Sequence, residues 1–321
     1  MNIQENVSLD KYSTFKIGGP AKYFIEAAST EDLVEALRYT QEKDLPLAMI
    51  GGGCNILIGD EGVDGMVIKV NSKHLEPLTE TRLYADAGVS LAAFASFGHR
   101  FDLVGFEWGP AVPGSIGGSI RGNAGAFGGE TKDKLKAVHV YHQGDILTIP
   151  REELEFRYRM SSFKIDRIND IVLGGEFELE KGDVKESRAT IVDFIKRKKE
   201  TQPTGVACSG CIFKNIDGQT PSEEALAKDP QLQAFTDKGI IPTGYLIDKL
   251  GLKGLKQGGV EISAIHGNYI INPENKGTYR EVEILRDKIK AIITDAYGVT
   301  PEEEVGLISH QLKHLNQEEG V

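Results

Sequence analysis

An α+β fold of two or three domains is predicted by three features of this 321-residue sequence. Helical and strand patterns are mixed along the chain, the pattern breaks near residue 201, and a long glycine-rich stretch is too apolar to be a linker. That stretch, Gly109–Glu130, reads GPAVPGSIGGSIRGNAGAFGGE and holds eight glycines in 22 residues. So many glycines argue against a helix or strand there, because each costs backbone entropy on ordering. Without a Cβ, backbone amides can approach a ligand closely, and Pro110 and Pro113 fix φ on the approach. A bound phosphate or flat ring is therefore expected. Val112, Ile116, Ile120, Ala124, Ala126 and Phe127 interleave with the glycines, which a polar Gly/Ser linker would not show.

In chain order, Ser13–Pro20 reads as a turn carrying Lys16, and Lys22–Glu26 as a strand. Ser29 or Thr30 can cap a helix with Leu33, Val34 and Leu37 on one face. Pro46–Ile50 is a short buried strand that runs into Gly51-Gly52-Gly53-Cys54-Asn55 and then Ile56–Ile58. This turn can form an amide nest for a pyrophosphate, or it is only a tight hairpin. A dinucleotide fingerprint would open a helix instead. Met66–Val70 and Arg82–Ala87 read as strands, and Leu91–Phe101 as a helix. Residues 136–180 are β-rich, with strands at Ala137–Tyr141, Asp145–Ile149 and Ile171–Leu179. Ser187–Lys198 is a helix ending in the basic run Lys196–Lys199, and Thr201–Gly205 marks a boundary. Beyond it come the cluster Ser209–Asn215, a helix at Pro242–Leu250, a strand at Tyr269–Asn272 and a helix at Arg280–Tyr297.

Composition narrows the function. Net charge is −11 and no Lys/Arg stripe offsets it, which disfavours nucleic acid as a partner. No apolar run reaches the roughly 18 residues of a membrane span, and Met1–Asp10 has no signal core, so a cytoplasmic protein with no membrane partner is expected. Three cysteines give no disulfide framework, and the histidines never join them at zinc spacing. His310 and His314 lie four apart in a polar tail, and no structural metal is expected.

Seven motifs in order, STFKIGGPA (13–21), IGGGCNILI (50–58), PGSIGGSIRGNAGAFGGE (113–130), YRMSSFK (158–164), SGCIFKN (209–215), GLKG (251–254) and HGNYIIN (266–272), resemble the UDP-N-acetylenolpyruvoylglucosamine reductase family, in its shorter type. The resemblance spans about residues 10–308. It implies an FAD-binding region of the vanillyl-alcohol-oxidase type in two parts, residues 1–70 and 71–200. An α/β substrate-binding domain at 201–310 and a tail at 311–321 would follow. It also implies an oxidoreductase of peptidoglycan precursor synthesis. NADPH would reduce FAD, which would pass hydride to the enolpyruvyl group of UDP-N-acetylglucosamine enolpyruvate, and the enzyme is expected to be a monomer. The FAD contacts implied are Lys16, Ile50, Gly51, Gly52, Gly53, Cys54 and Asn55 on one cradle. On the other they are Pro113, Gly114, Ser115, Gly117, Gly118, Asn123, Ala124 and Gly125. Arg159 aligns with the family's catalytic arginine and would clamp the substrate carboxylate; Glu304 aligns with its C-terminal catalytic glutamate, with Glu302 and Glu303 as adjacent alternatives. Tyr158, Lys214 and Asn215 match positions that contact the nucleotide sugar.

The sequence departs from the family at Cys211, where a serine is the usual proton donor. An unperturbed thiol, with a pKa near 8.5, is a better acid than a hydroxyl, so donation is preserved. Cys208 stands at CxxC spacing, which leaves three readings for Cys211: proton donor, half of a redox pair, or inert. Cys54, in place of a common serine, reads as packing, and Arg121 and Gly122 stand where the family is more apolar. Two rival functions are an oxidase of the same FAD fold, which would need no Lys214-Asn215 pair, and a flavin-binding sensor without turnover.

Overall fold

The computed structural model describes residues 1–309 and 312–315. Three sheets carry the architecture. The first has the order Gln4–Ser8, Pro20–Ala27, Val63–Val70, Pro46–Ile50, Lys313–His314. Its three central strands are parallel, and parallel neighbours need crossovers. Helix α1 (Thr30–Glu42) is one of them. It starts at a reciprocal cap in which Ser29 Oγ accepts from Asp32 N and the Asp32 carboxylate accepts from Ser29 N. Leu33, Val34 and Leu37 are buried, as their spacing predicts.

The second sheet is antiparallel throughout, in the order Asp145–Pro150, Leu135–His142, Ile171–Glu178, Arg82–Asp86, Leu75–Pro77. Phe94, Phe106, Trp108 and Phe177 fill the space beside it, with α2 (Leu91–Gly98) contributing Phe94. One expectation fails here. The glycine-rich stretch contains a helix, α3 (Ile116–Gly122). The propensity cost, about 1 kcal/mol per interior glycine relative to alanine, is overridden by tertiary contacts. Ile116 and Ile120 are fully buried, and Ser115 Oγ caps Gly118 N at 3.4 Å. Gly117 sits where a Cβ would lie 2.8 Å from the Cβ of Ala87. Glycine here permits close packing rather than disorder.

Helix α4 (Val184–Thr201) ends at the predicted break. It fastens the glycine-rich stretch at two points: Phe194 stacks on Phe127 with centroids 4.2 Å apart, and Lys198 Nζ donates to Ala111 O at 2.6 Å. The third sheet, Ala207–Cys208, Ile270–Asn272, Val260–Ile262, Lys256–Gln257, is also antiparallel. It shares a core with α5 (Glu223–Lys228), α6 (Pro230–Thr236), α7 (Thr243–Lys249) and α8 (Tyr279–Tyr297). Phe15, Ile17 and Leu57 from the N-terminal region enter the same core. The Asp60 carboxylate accepts from Tyr279 N and Arg280 N at 2.8 and 3.1 Å, so the start of α8 is tied to the first sheet's side of the molecule. Leu285 on α8 is 1% exposed. Leu285→Ala should destabilise the protein by about 2–5 kcal/mol, read as a lower denaturant midpoint.

Short elements escape the sequence patterns: α5, α6, the Lys256–Ile262 hairpin and the strand Gly306–Ile308. Lys313–His314, in the stretch expected to be a tail, forms an edge strand against Pro46 and Leu47. His310 lies outside the described residues, as do 311 and 316–321.

Candidate active site

The turn Gly51–Asn55 closes no hairpin. Pro46–Ile50 belongs to the first sheet, whereas Ile56–Ile58 pairs in parallel with Gly306–Ile308. The turn's carbonyls are held by the protein. Lys69 Nζ donates to Gly51 O, Cys54 Sγ to Gly52 O at 3.2 Å, and Thr14 N to Gly53 O at 3.0 Å. In a planar trans peptide the N–H opposes the C=O, so the amides of Gly52, Gly53 and Cys54 point away from those donors. A Cβ on Gly52 would lie 3.0 Å from Gly114 Cα, and one on Gly51 2.5 Å from Ser115 Oγ, so the two glycine segments abut. Gly114, at φ +151°, has no atom within 4 Å of where its Cβ would be. Outward amides beside an open glycine shelf fit the phosphates and flat ring of FAD.

The other expected FAD contacts differ in what they can offer. Lys16 is exposed, in left-handed backbone at φ +59°. Ile50 is fully buried beneath the turn. The Asn123 side chain is occupied internally: its amide donates to Glu130 Oε2 and Arg157 O, and its oxygen accepts from Lys132 N. Only its backbone is left for a cofactor. Gly125 O accepts from Arg159 Nη2 at 3.0 Å, which ties the shelf to the expected catalytic arginine. Asn55 Nδ2 donates to Glu304 O at 3.1 Å, a second such tie.

Arg159, Cys211 and Glu304 line one cavity of about 440 Å³, together with Tyr158, Asn215, Lys253 and His266. Arg159 has left-handed backbone, φ +54°, and its guanidinium lies over the Tyr158 ring, 5.0 Å from the centroid. Arg159 Nε donates to Glu304 Oε1 at 2.7 Å. The segment 302–304 runs beside 212–214: Glu304 N donates to Ile212 O, Phe213 pairs with Glu303, and Lys214 N donates to Glu302 O. Adjacent glutamates therefore point apart. Glu302 meets Lys214 Nζ at 3.0 Å, Glu303 meets Lys290 Nζ at 3.2 Å, and Glu304 alone of the three meets Arg159. A smaller cavity of about 170 Å³ is lined by Lys214 and Glu302 and shares Tyr158 and Asn215 with the first.

Burial pushes the Glu304 carboxyl up against the opposing pull of Arg159. The Cys211 thiol is pushed up to about 12, chiefly by burial and then by the Glu304 carboxylate. The expectation of a thiol near its unperturbed acidity is thereby corrected: in this buried site beside Glu304 it is a much weaker acid than a free thiol. All three cysteines are free thiols, and burial raises Cys54 and Cys208 as well. No helix opens at Cys211, because Ile212 N donates to Asn268 O and Cys208 lies in a strand against Ile271.

Some of the site was not anticipated. Lys164 Nζ donates to Arg159 O at 3.2 Å, and its pKa is lowered to about 8 by burial, then by Arg121 and Lys214. It lies inside the YRMSSFK motif, which was its only signal. Tyr245 and Asp248 line the larger cavity without any local pattern to mark them, whereas Lys253 and His266, which also line it, lie in the GLKG and HGNYIIN motifs.

Residues 21–149 match an FAD binding domain, and residues 202–308 match the UDP-N-acetylenolpyruvoylglucosamine reductase C-terminal domain. UDP-N-acetylenolpyruvoylglucosamine reductase of Syntrophomonas wolfei is 34% identical over 96% of each chain. The enzyme of that name from Chlamydia felis is 33% identical over 97% of this chain and 96% of its own. The crystal structure of the Thermus caldophilus UDP-N-acetylenolpyruvylglucosamine reductase has a TM-score of 0.74 at 28% identity, covering 96% of this chain and 99% of that one.

Proposed function

Since the chain belongs to the UDP-N-acetylenolpyruvoylglucosamine reductase family of FAD-dependent oxidoreductases, we propose that it reduces the enolpyruvyl group of UDP-N-acetylglucosamine enolpyruvate to the lactyl ether, UDP-N-acetylmuramate, with NADPH as reductant. The observation that carries this reading is the convergence of Arg159, Glu304 and Cys211 on one cavity that adjoins Lys214. FAD, when bound, supplies the hydride. Adding it to the terminal carbon leaves negative charge on the neighbouring carbon and its carboxylate, which calls for a cation and an acid. Arg159 uses two N–H groups on Glu304 and Gly125 O, and the rest of its fork is open to a carboxylate. Glu304 fixes the fork's orientation. Cys211 Sγ–H gives its proton to the charged carbon. Lys214, Asn215 and Tyr158 hold the nucleotide sugar, with the Lys214 ammonium at the diphosphate.

The same reading has a monomer acting in the cytoplasm. Residues 1–70 and 71–200 form the two parts of the FAD region, 201–310 the substrate domain. Mixing the FAD-reduced protein anaerobically with UDP-N-acetylglucosamine enolpyruvate should reoxidise the flavin within single turnovers, and no reoxidation would overturn the proposal. Acid precipitation should release the flavin, because Gly109–Glu130 contains no histidine or cysteine; flavin retained in the pellet would show a covalent link, with Cys54 the residue to test.

Lys164 gives a pH prediction. Its charged form, held on Arg159 O behind the cavity, adds positive charge near Arg159 below pH 8 and is lost as pH rises through about 8. The ratio kcat/KM for the anionic substrate should fall along that limb, since it reports the free enzyme, and Lys164→Met should flatten it.

A further inference from the structure

Two cations serve the proposed chemistry, and one short segment supplies a carboxylate to each. Glu302 and Glu304 stand two residues apart in the extended pairing with 212–214, so they share a face of it. Glu304 reaches Arg159, Glu302 reaches Lys214 Nζ at 3.0 Å, and Glu303 between them turns to Lys290. The two pairs differ in how firmly they are held. The Arg159 and Glu304 side chains are 23% and 19% exposed, whereas Glu302 is 71% exposed against 16% for Lys214. An ion pair with a water-facing member is weak, so Glu302 can leave Lys214 at little cost. The backbone around this pair is fixed on both sides. Lys214 N donates to Glu302 O at 2.8 Å, and Thr243 Oγ1 donates to Lys214 O. The Gln219 side chain donates to Thr300 O at 2.9 Å and accepts from Thr300 N at 2.8 Å. Parting Glu302 from Lys214 therefore needs only side-chain rotation. Lys214, Gln219, Thr300 and Glu302 all line the cavity of about 170 Å³, in which Asp217 is the other carboxylate.

We propose that Glu302 is a displaceable counter-ion of Lys214, which the diphosphate of a nucleotide sugar must replace in order to bind, so that Glu302 sets how tightly the nucleotide is held. This rests on the reading of Lys214 at the diphosphate. A diphosphate diester brings two negative charges and several acceptor oxygens against the single charge of a carboxylate, and it wins the ammonium for that reason. The exposed Glu302 side chain rotates into water and returns to Lys214 as the nucleotide departs. Affinity is lowered by what the ion pair is worth, and release is eased by the same amount. Glu304 has the opposite character: enclosed with Arg159, it stays in place and orients the guanidinium.

The test titrates the oxidised, FAD-loaded protein with UDP-N-acetylmuramate and reads Kd from the perturbed flavin absorbance. Glu302→Gln keeps the side chain's shape and the backbone bond but not the charge, and should tighten binding about 3-fold, the worth of a partly exposed ion pair. Damage to the fold would weaken binding, so tightening is a sign that a structural role does not produce. Lys214→Met should weaken binding about 10-fold, as loss of a charged hydrogen bond does. In the Lys214→Met background, Glu302→Gln should add nothing, because the pair is already broken. Asp217→Asn should leave Kd unchanged. Unchanged or weaker binding in Glu302→Gln, while Lys214→Met loses affinity, would overturn the proposal and spare the reading of Lys214. Equal tightening by Glu302→Gln with and without Lys214, or by Asp217→Asn, would show general repulsion in an acidic cavity and overturn it as well. Wild-type Kd in Lys214→Met would instead remove Lys214 from the diphosphate.

Discussion

Cys211→Ala should reoxidise reduced flavin with substrate roughly 10²–10⁴-fold more slowly than the wild type, the usual worth of a general acid. Reduction of the flavin by NADPH should stay near its normal rate, because the thiol acts only after hydride has left the cofactor. Cys211→Ser should recover much of the lost rate. Both groups are compact proton donors on the same Cβ, in the same buried site beside Glu304. Cys208→Ala should change neither half-reaction. Cys208 lies in a strand and its thiol is pushed up by burial, so a ready thiolate for a redox partnership is lacking. Stopped-flow absorbance under anaerobic conditions separates the steps. Normal reoxidation in Cys211→Ala would exclude it as donor, and equal damage in Cys208→Ala would bring the redox-pair reading back.

Arg159→Lys should lower kcat by roughly 10²-fold or more, comparable to deleting one preorganised donor at a developing anion, while flavin content is unchanged. The charge survives but the geometry does not. Arg159 spans Glu304 Oε1 and Gly125 O with two separate nitrogens and still presents N–H groups to the cavity. An ammonium is one point at the end of a flexible stem and cannot fill both contacts and the substrate carboxylate at once. Nothing in the glycine shelf depends on the guanidinium except the bond at Gly125, so FAD retention provides the control. A wild-type-like kcat would take Arg159 out of the mechanism.

What could be read from the sequence, and what could not, follows the range of the interactions involved. Ser29 with Asp32, the apolar spacing of α1 and α8, and the break after Thr201 are local signals, and the structure follows them. The glycine-rich stretch misleads on secondary structure because the contacts that stabilise α3, Ile116 and Ile120 in the core and Gly117 against Ala87, come from elsewhere in the chain. Which of three adjacent glutamates meets Arg159 is fixed by the pairing of 302–304 with 212–214, a register no local pattern encodes. The acidity of Cys211 escapes the sequence for a similar reason: the identity of the residue is visible there, its burial and the nearby carboxylate are not.

The parallel pairing of Gly306–Ile308 with Ile56–Ile58 sets an order of events during synthesis. Both glycine segments of the shelf leave the ribosome more than 170 residues ahead of Glu304, as residue numbers 130 and 304 require. A nascent chain thus holds every residue of the shelf while Arg159 still lacks its carboxylate partner. Leu57 contributes to a core whose other members include residues of α8, so the stretch after Asn55 waits for late-arriving chain on two counts. A protein halted before residue 304 would have the shelf's residues but no Glu304 to orient Arg159.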